Sequence, residues 1–453
     1  MSAIEITKEF IEEFIQLIDS RNAVELHPVL EKLYPQDLAE IFDDELNLDQ
    51  AVYVATLLDE QKKVDVVIEL EPEVKHKFFK GYSAEELADL YFAYMESDDA
   101  ADILNDLPTD LSKKILRKIE DKEHSRNIAS LLKFPENTAG ALMAKEVIKV
   151  KLNWTVKRCT DEIRIQAESA SNVVTAYVVN DYDELVGWVS LKRILLASED
   201  TLVHHIYQDN VIHEITYTSG EEVAATLKKY DLVALPIVDA FNRLVGRVTF
   251  DDVLDYMQDE AEKDYQMLSG ISESVESSDS IYLLTRARLP WLVIGLIGGI
   301  GSSLVIGNFE ADLKQNVQLA LFMPLIMAMG GNVGVQSSSI MVQGLANNTI
   351  KSSGLLAKLG KEIVVALLNG LVCSLLLLAY GALSGNSQDI MFTVSVALMV
   401  VILIAAMVGT VTPLLLDRFK IDPALATGPF ITTSNDLLGL FLYFIIGNVL
   451  LGM

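Results

Sequence analysis

The stretch "GPFITTSNDLLGL", residues 428–440, carries a single ionisable side chain, Asp436, inside an otherwise apolar run. From Pro423 to Met453 there are 31 residues, and Asp436 is the only acidic or basic one among them. Roughly 20 apolar residues at ~1.5 Å each cross a bilayer core, so the run is of membrane length. Four charge-free stretches precede it: Leu289–Asn308 (20 residues), Gln315–Ile350 (36), Ile363–Gln388 (26) and Ile390–Leu416 (27). A carboxylate buried in such a segment costs about 2.5–3.5 kcal/mol on insertion scales and usually faces a cavity or an ion path. The expectation is a polytopic α-helical membrane domain with five spans over residues 284–453, in which Asp436 is the pore or proton site.

Charge is divided unevenly. The chain holds 36 Lys/Arg and 64 Asp/Glu; residues 289–453 contain 6 and 7 of these, and residues 1–288 contain 30 and 57, a net charge of −27. An acidic excess of that size argues against nucleic acid and anionic membrane surfaces as partners and for cations. "MSAIEITKEF" at the N-terminus lacks the apolar core of a signal segment. Cys159 and Cys373, the two cysteines, fit a reducing compartment without disulfides. With the N-terminus cytosolic, the cytosolic flanks of five spans carry Arg286, Arg288, Lys351, Lys358, Lys361, Arg418 and Lys420, and the outer loops carry Lys314 alone. This bias places the C-terminus outside a plasma (inner) membrane.

Residues 1–135 read as an all-α superhelical domain of short amphipathic helices, "YPQDLAEIF", "LEPEVKHKFF", "YSAEELADLYF" and "LPTDLSKKIL", each opening on Pro, Ser or Asp and an acidic first turn. In "SDDAADIL", Asp98 and Asp102 share a helical face with Asp99 beside them. An N-cap with dipole-compensating acids is the structural reading, and a cation-binding face is the functional one. Next comes a repeat. "YVVNDYDELVGWVSLKRIL" (177–195) aligns without gaps on "PIVDAFNRLVGRVTFDDVL" (236–254), each an apolar strand, a polar turn, Leu-Val-Gly, a second strand and a helix. This resembles an α/β pair of CBS domains, over 136–200 and 201–260. The second copy keeps Thr249-x-x-Asp252, the pattern that in CBS domains holds the ribose and phosphate of an adenine nucleotide such as ATP. The first copy has Ser190-x-x-Arg193.

The last CBS helix runs into "DDVLDYMQDEAEKD" (251–264), with seven acids and one Lys, and then into Ser-rich "SESVESSDS", so residues 251–283 read as an acidic connecting helix and linker. Asp252, Asp255, Asp259 and Glu262 fall along one helical face, where repulsion costs a few tenths of a kcal/mol per pair until a cation relieves it. In the second span, "PLIMAMGGNVGVQSSSI" (324–340) places Asn332 and Gln336 four apart on one face, with Pro324, Gly330, Gly331 and Gly334 expected to weaken the helix. Pro429 is expected to free the Leu425 carbonyl, Asp422 to cap a helix starting at Pro423, and Thr432 and Thr433 to share water or ions with Asp436. Carboxylate, amide and hydroxyl oxygens suit a hydrated Mg²⁺. No histidine lies in the spans, which argues against copper or zinc.

"PLIMAMGGNVGVQSS", "RLPWLV" (288–293) and "DPALATGPFITTSNDLLG" (422–439) resemble the signature segments of the MgtE family of magnesium channels/transporters, and the domain order is similar over the whole chain. The resemblance implies a homodimer in the lipid bilayer whose pore is built from the second and fifth spans, with Mg²⁺ as both substrate and regulator. It implies hydrated Mg²⁺ at Asp436 and a path lined by Gly428 and Thr432. It implies regulatory Mg²⁺ sites among Asp98, Asp102, Asp231, Asp252, Asp255, Glu260 and Asp264, to which the acidic face adds Asp259. Val335 and Gly428 stand where some members carry Asn, and Lys263 where an acid can stand. The chain is read as a transport protein and not as an enzyme. The alternatives are a proton- or Na⁺-coupled carrier and a nonconducting CBS nucleotide sensor.

Overall fold

The computed structural model describes residues 6–167, 175–272, 275, 280–346, 355–385, 387–426 and 428–452; most of the Ser-rich linker lies outside them. The chain forms two compact units, Met1–Met257 and Gln258–Met453.

The first unit opens on short helices running from α1 (Lys8–Asp19) to α10 (Lys122–Leu131), α8 spanning Ser97–Asp106. Their starts follow the cap chemistry of the sequence. Asn47 and Gln50 form a reciprocal capping box, as do Ser83 and Glu86, and the Asp59 carboxylate accepts from the Lys62 N–H at 2.9 Å. Pro35 and Pro72 occupy first helical turns, where a missing N–H is no loss. Their apolar faces meet in an aromatic core in which Phe78 and Tyr91 stand edge to face with centroids 5.9 Å apart.

After α11 (Ala139–Leu142), the repeat folds into two three-stranded sheets. In the first, β1 (Lys149–Lys151) lies parallel to β2 (Thr175–Val179), with α12 (Val156–Gln166) between them in sequence, and β2 is antiparallel to β3 (Leu185–Ser190), which leads into α13 (Leu191–Leu196). The second repeats the order with β4 (Glu214–Ile215), α14 (Gly220–Tyr230), β5 (Ala234–Val238), β6 (Leu244–Thr249) and α15 (Phe250–Leu268). The two polar turns pair reciprocally: Leu185 N–H donates to Asn242 O at 2.9 Å, and Leu244 N–H to Asp183 O at 3.0 Å. The glycine of each Leu-Val-Gly is required because another backbone segment crosses it. A Cβ at Gly246 would lie 2.6 Å from the Ala144 carbonyl oxygen, and one at Gly187 would overlap that of Gln208.

In the second unit, five helices among the described residues are long and apolar enough to cross a membrane: α16 (Ile281–Asn308), then, past the short α17 (Glu310–Gln315), α18 (Gln318–Ala346), α19 (Leu355–Ser384), α20 (Gln388–Arg418) and α21 (Pro429–Leu451). Two expectations need correction. First, α18 runs unbroken through Pro324 and its glycines. Those glycines serve close packing: Gly334 lies against Ile431 and Asn435 of α21, and a Cβ at Gly409 of α20 would overlap the Gly334 carbonyl. Second, the last run is not one helix. Pro423–Ala426 forms a separate 3₁₀ turn, capped by the Asp422 carboxylate accepting from the Ala424 N–H at 2.8 Å, and α21 begins at Pro429. Pro429 is thus a first-turn proline and frees no carbonyl within the helix. Asp436, near the middle of the run, is the eighth of the 23 residues of α21 and stands ~10 Å along that helix.

The crossing of α18 and α20 yields a prediction. Gly409→Ala forces two backbones apart and should destabilise the membrane unit by about 1–3 kcal/mol, the usual range for overpacking. Thermal unfolding in detergent, followed by loss of the monodisperse chromatographic peak, would show an unchanged midpoint if the crossing tolerated the methyl group.

Candidate functional site

Asp436, Thr432, Asn332 and Gln336 line one cavity of about 340 Å³ between α18 and α21, together with Gly331 and Val335. The two helices run antiparallel, so residues one turn apart on each face one another: Gly331 opposes Thr432 and Asp436, and Gly334 opposes Ile431 and Asn435. A Cβ at Gly331 would stand 3.1 Å from the Thr432 methyl carbon and 3.9 Å from an Asp436 carboxylate oxygen, so glycine brings the carboxylate against the α18 backbone. Thr432 Oγ1 donates to Gly428 O at 3.0 Å, which leaves its lone pairs as acceptors toward the cavity.

Two expected members stand elsewhere. Thr433 packs its methyl group on Gly298 of α16 and does not line the cavity. Gly428 is not a lining residue either. It is the N-cap of α21 with φ 62° and ψ −130°, and a Cβ there would lie 2.6 Å from the Leu268 carbonyl at the end of α15. One residue on, Pro429 packs against Gly270, and the Gln266 side chain exchanges hydrogen bonds with the Val275 backbone at 2.8 and 2.9 Å. The end of the acidic helix is therefore fastened at the start of α21. No sequence motif signalled this seat, because Gly270 reads as an ordinary linker glycine.

The first unit contains an acidic cleft of about 1050 Å³. Asp98 and Asp99 of α8 line it with Asp251, Asp252 and Asp255 of α15 and Glu96. Glu96 is the N-cap of α8 and makes no side-chain cap, while Asp98 and Asp99 stand in the first turn, where acids complement the helix dipole. Ser97 binds across to Glu146, its Oγ donating at 2.7 Å. Asp98 is 8% exposed and its Oδ1 has no hydrogen-bond partner. Burial, together with Asp99, Asp252, Glu96 and Glu146, holds its carboxyl well above the usual range. The same crowding raises Asp99 to about 7, burial first and Asp252 next. Burial also raises Asp252, opposed by the Thr249 N–H and Oγ1, which donate to its Oδ2 at 2.8 and 2.7 Å. The Thr249-x-x-Asp252 pair thus caps α15 while exposing a carboxylate to the cleft.

Cationic side chains stand among these acids, Lys145 in the cleft lining and Arg247 and His124 beside carboxylates. Arg247, 6% exposed, pairs with Glu96 at 3.2 Å. His124 Nδ1 lies 3.7 Å from Glu146; burial works most strongly against its proton, but hydrogen bonds to Glu146 and the Phe92 carbonyl, with the charges of Glu146 and Asp121, together outweigh it and the imidazole pKa is raised. None of Glu96, Asp99, Asp251, His124, Glu146 and Arg247 could be assembled from sequence spacing, since they arrive from four separate segments. Of the expected acids, Asp102 is exposed and lies outside the cleft lining. Asp231 is the left-handed C-cap of α14, φ 51°. Asp259, Glu260 and Asp264 follow further along α15, in the second unit, where Lys263 pairs with Glu260 at 2.9 Å. Among the described residues, no group of three or more His, Cys, Asp or Glu side chains converges enough to hold a bare metal ion.

Family models match this chain in three parts: the MgtE divalent cation transporter domain at residues 323–446, the MgtE intracellular N domain at 33–137, and CBS domains at 139–200 and 206–259. It is 31% identical over 436 residues to the magnesium transporter MgtE of Bacillus subtilis (strain 168), covering 96% of each chain. It is 32% identical over 455 residues to the magnesium transporter MgtE of Thermus thermophilus, covering 97% of this chain and 98% of that one. The crystal structure of the soluble part of a magnesium transporter matches with a TM-score of 0.52 at 26% identity, over 56% of this chain and 99% of that one. The cytosolic domain of the Mg²⁺ channel MgtE in complex with ATP matches with a TM-score of 0.50 at 32% identity, over 54% and 98%. Five apolar helices, two of them lining a cavity that holds a carboxylate, joined to a helical domain and a CBS pair, define a class of multi-pass cation transporters. This chain belongs to the MgtE family of Mg²⁺ transporters.

An acid whose pKa is raised on folding binds more protons folded than unfolded between its two pKa values, so the first unit loses stability as pH climbs from about 4 through about 7. Without divalent ions its melting midpoint should fall by several degrees between pH 5 and pH 8, and millimolar Mg²⁺ at pH 8 should restore most of the loss. Asp98→Asn should raise the ion-free midpoint at pH 8 and shrink the Mg²⁺ effect. A midpoint independent of both pH and Mg²⁺ would contradict this account of the cleft.

Proposed function

We propose that this chain imports Mg²⁺ down the membrane potential and is closed by cytosolic Mg²⁺. The observation that carries the reading is the cavity in which Asp436, the one ionisable residue from Pro423 to Met453, stands with the Thr432 hydroxyl and the Asn332 and Gln336 amides. Mg²⁺ gives up its waters reluctantly and is commonly held by one or two carboxylates through its hydration shell. A cavity with one carboxylate and neutral oxygens suits a hydrated ion, and doubling across a two-fold dimer would supply the second carboxylate. The membrane potential contributes about 2.3 kcal/mol per charge per 100 mV. The N-terminus is cytosolic and the C-terminus outside, in keeping with the basic flanks of the spans. The functional parts are residues 1–135, the CBS pair at 136–200 and 201–260, the connecting segment 251–283 and the pore domain 284–453.

Closure follows from the acidic cleft. With little Mg²⁺ present, Asp98, Asp99, Asp252 and Asp255 repel one another, and the arrangement holding them together is disfavoured. Mg²⁺ entering the cleft cancels that repulsion, and the unpartnered Asp98 oxygen is a ready acceptor for an ion or its water. Asp102, Asp231, Asp259, Glu260 and Asp264 supply further acidic positions. Because α15 carries cleft acids at its start and is fastened beside α21 at its end, ion binding has a covalent route toward the pore helix. An adenine nucleotide at Thr249 and Asp252 is a second input, supported by the ATP complex of the related cytosolic domain. Asp252 then serves two ligands.

Two measurements test the proposal. Potential-driven Mg²⁺ uptake into proteoliposomes should drop to the level of empty liposomes for a folded Asp436→Ala variant; uptake at the native rate would move the permeation path elsewhere. Asp252→Asn with Asp255→Asn should raise the half-inhibiting cytosolic Mg²⁺ by about tenfold or more, within the range of ordinary allosteric couplings. Unchanged inhibition would remove the cleft from the mechanism.

A further inference from the structure

A second cavity of the membrane unit, about 450 Å³, lies between α18 and α19 and shares Gln336 alone with the pore cavity. On α19, Lys358, Lys361 and Glu362 line one end of it, and Val365, Ala366 and Asn369 continue the same stripe at helical spacing. On α18, Ser337, Ile340 and Met341 form the facing wall, with Ala406 of α20 contributing behind them. The cavity is therefore polar and net positive at one end and mostly apolar along its length. Glu362 accepts from Ser337 Oγ at 2.6 Å, which ties the two walls together. Ile340 and Val365 on the lining are 63% and 40% exposed, so the cavity opens sideways, toward where lipid would lie.

We propose that this cavity holds one anionic glycerophospholipid of the phosphatidylglycerol type. Its phosphodiester lies between Lys358 and Lys361, its head-group hydroxyls donate to Glu362, and one acyl chain runs along Val365, Ala366, Ile340 and Met341. Two ammonium groups against one carboxylate leave a single positive charge, which matches one phosphodiester and disfavours a zwitterionic head group. Basic residues near the membrane surface each contribute measurably to anionic lipid binding. The dimensions agree as well. From Lys358 to Asn369 is eleven residues of helix, ~16 Å, close to the ~15 Å half-thickness of a hydrocarbon core. The assignment does not rest on which ion the pore carries.

The test is native mass spectrometry of the full-length protein titrated with palmitoyl-oleoyl-phosphatidylglycerol, with phosphatidylcholine of the same chains, and with inorganic phosphate. Phosphatidylglycerol should bind at least about tenfold more tightly than phosphatidylcholine, and phosphate should not compete with it. Lys358→Ala with Lys361→Ala should weaken phosphatidylglycerol about thirtyfold and leave phosphatidylcholine unchanged. Val365→Trp, which keeps the charges and fills the chain groove at an exposed position, should weaken both lipids. Unchanged phosphatidylglycerol binding in both variants overturns the proposal. So does competition by phosphate, which would make this a free-anion site. Loss of a dimer by the variants with lipid binding intact also overturns it, since the cavity would then belong to a second copy of the chain.

Discussion

A carboxylate within a membrane-spanning bundle must be given polar company without opening the bundle to hydrocarbon, and the second unit is arranged around that constraint. Asp436 meets it through small residues. Gly331 lets α21 approach until Thr432 and Asp436 lie on the α18 backbone, and Gly334 admits Asn435 and Ile431 one turn away. Gly409 brings α20 against the Gly334 carbonyl from the other side. Apolar side chains provide little net attraction between helices surrounded by lipid, so close backbone packing has to hold these helices together. The same packing aligns Asn332 and Gln336 with Asp436 along one cavity.

The acidic cleft of the first unit meets the opposite difficulty. It has too many carboxylates and few cations, and burial makes each charge costlier. Raised pKa values at Asp98, Asp99 and Asp252 express this as a preference for protons over open charge. A divalent cation relieves the same repulsion without needing acidic pH. Thr249 adds order here: by anchoring one oxygen of Asp252, it fixes where α15 begins and how its acids face the cleft.

Much of this was legible in the chain. Charge-free runs of membrane length mark five spans whatever their packing. The 59-residue offset of the repeat carries the strand, turn and Leu-Val-Gly pattern of two sheets, because Gly187 and Gly246 are both needed where a backbone crosses. Periodicity was a poor guide to the helix of Asp436. The run from Pro423 reads as one segment, yet Gly428 adopts a conformation reserved for glycine and α21 restarts at Pro429. Spacing placed Asp98 and Asp102 on one face, but the cleft takes Asp98 with Asp99 and leaves Asp102 in solvent. Thr433 differs from Thr432 by one residue, and that 100° turn sends it onto α16.

Composition and local pattern by themselves determined the division into an acidic body and a neutral membrane body, the number of spans, the CBS repeat, and the isolation of Asp436. These follow from hydropathy, charge and short-range periodicity, which are properties of contiguous residues. Only the tertiary structure decided which acids share a cleft, which glycines face backbones, and that the end of α15 is seated beside the start of α21. Those outcomes depend on helices far apart in sequence meeting at particular turns, and a one-residue rotation at any of them would have brought different side chains together.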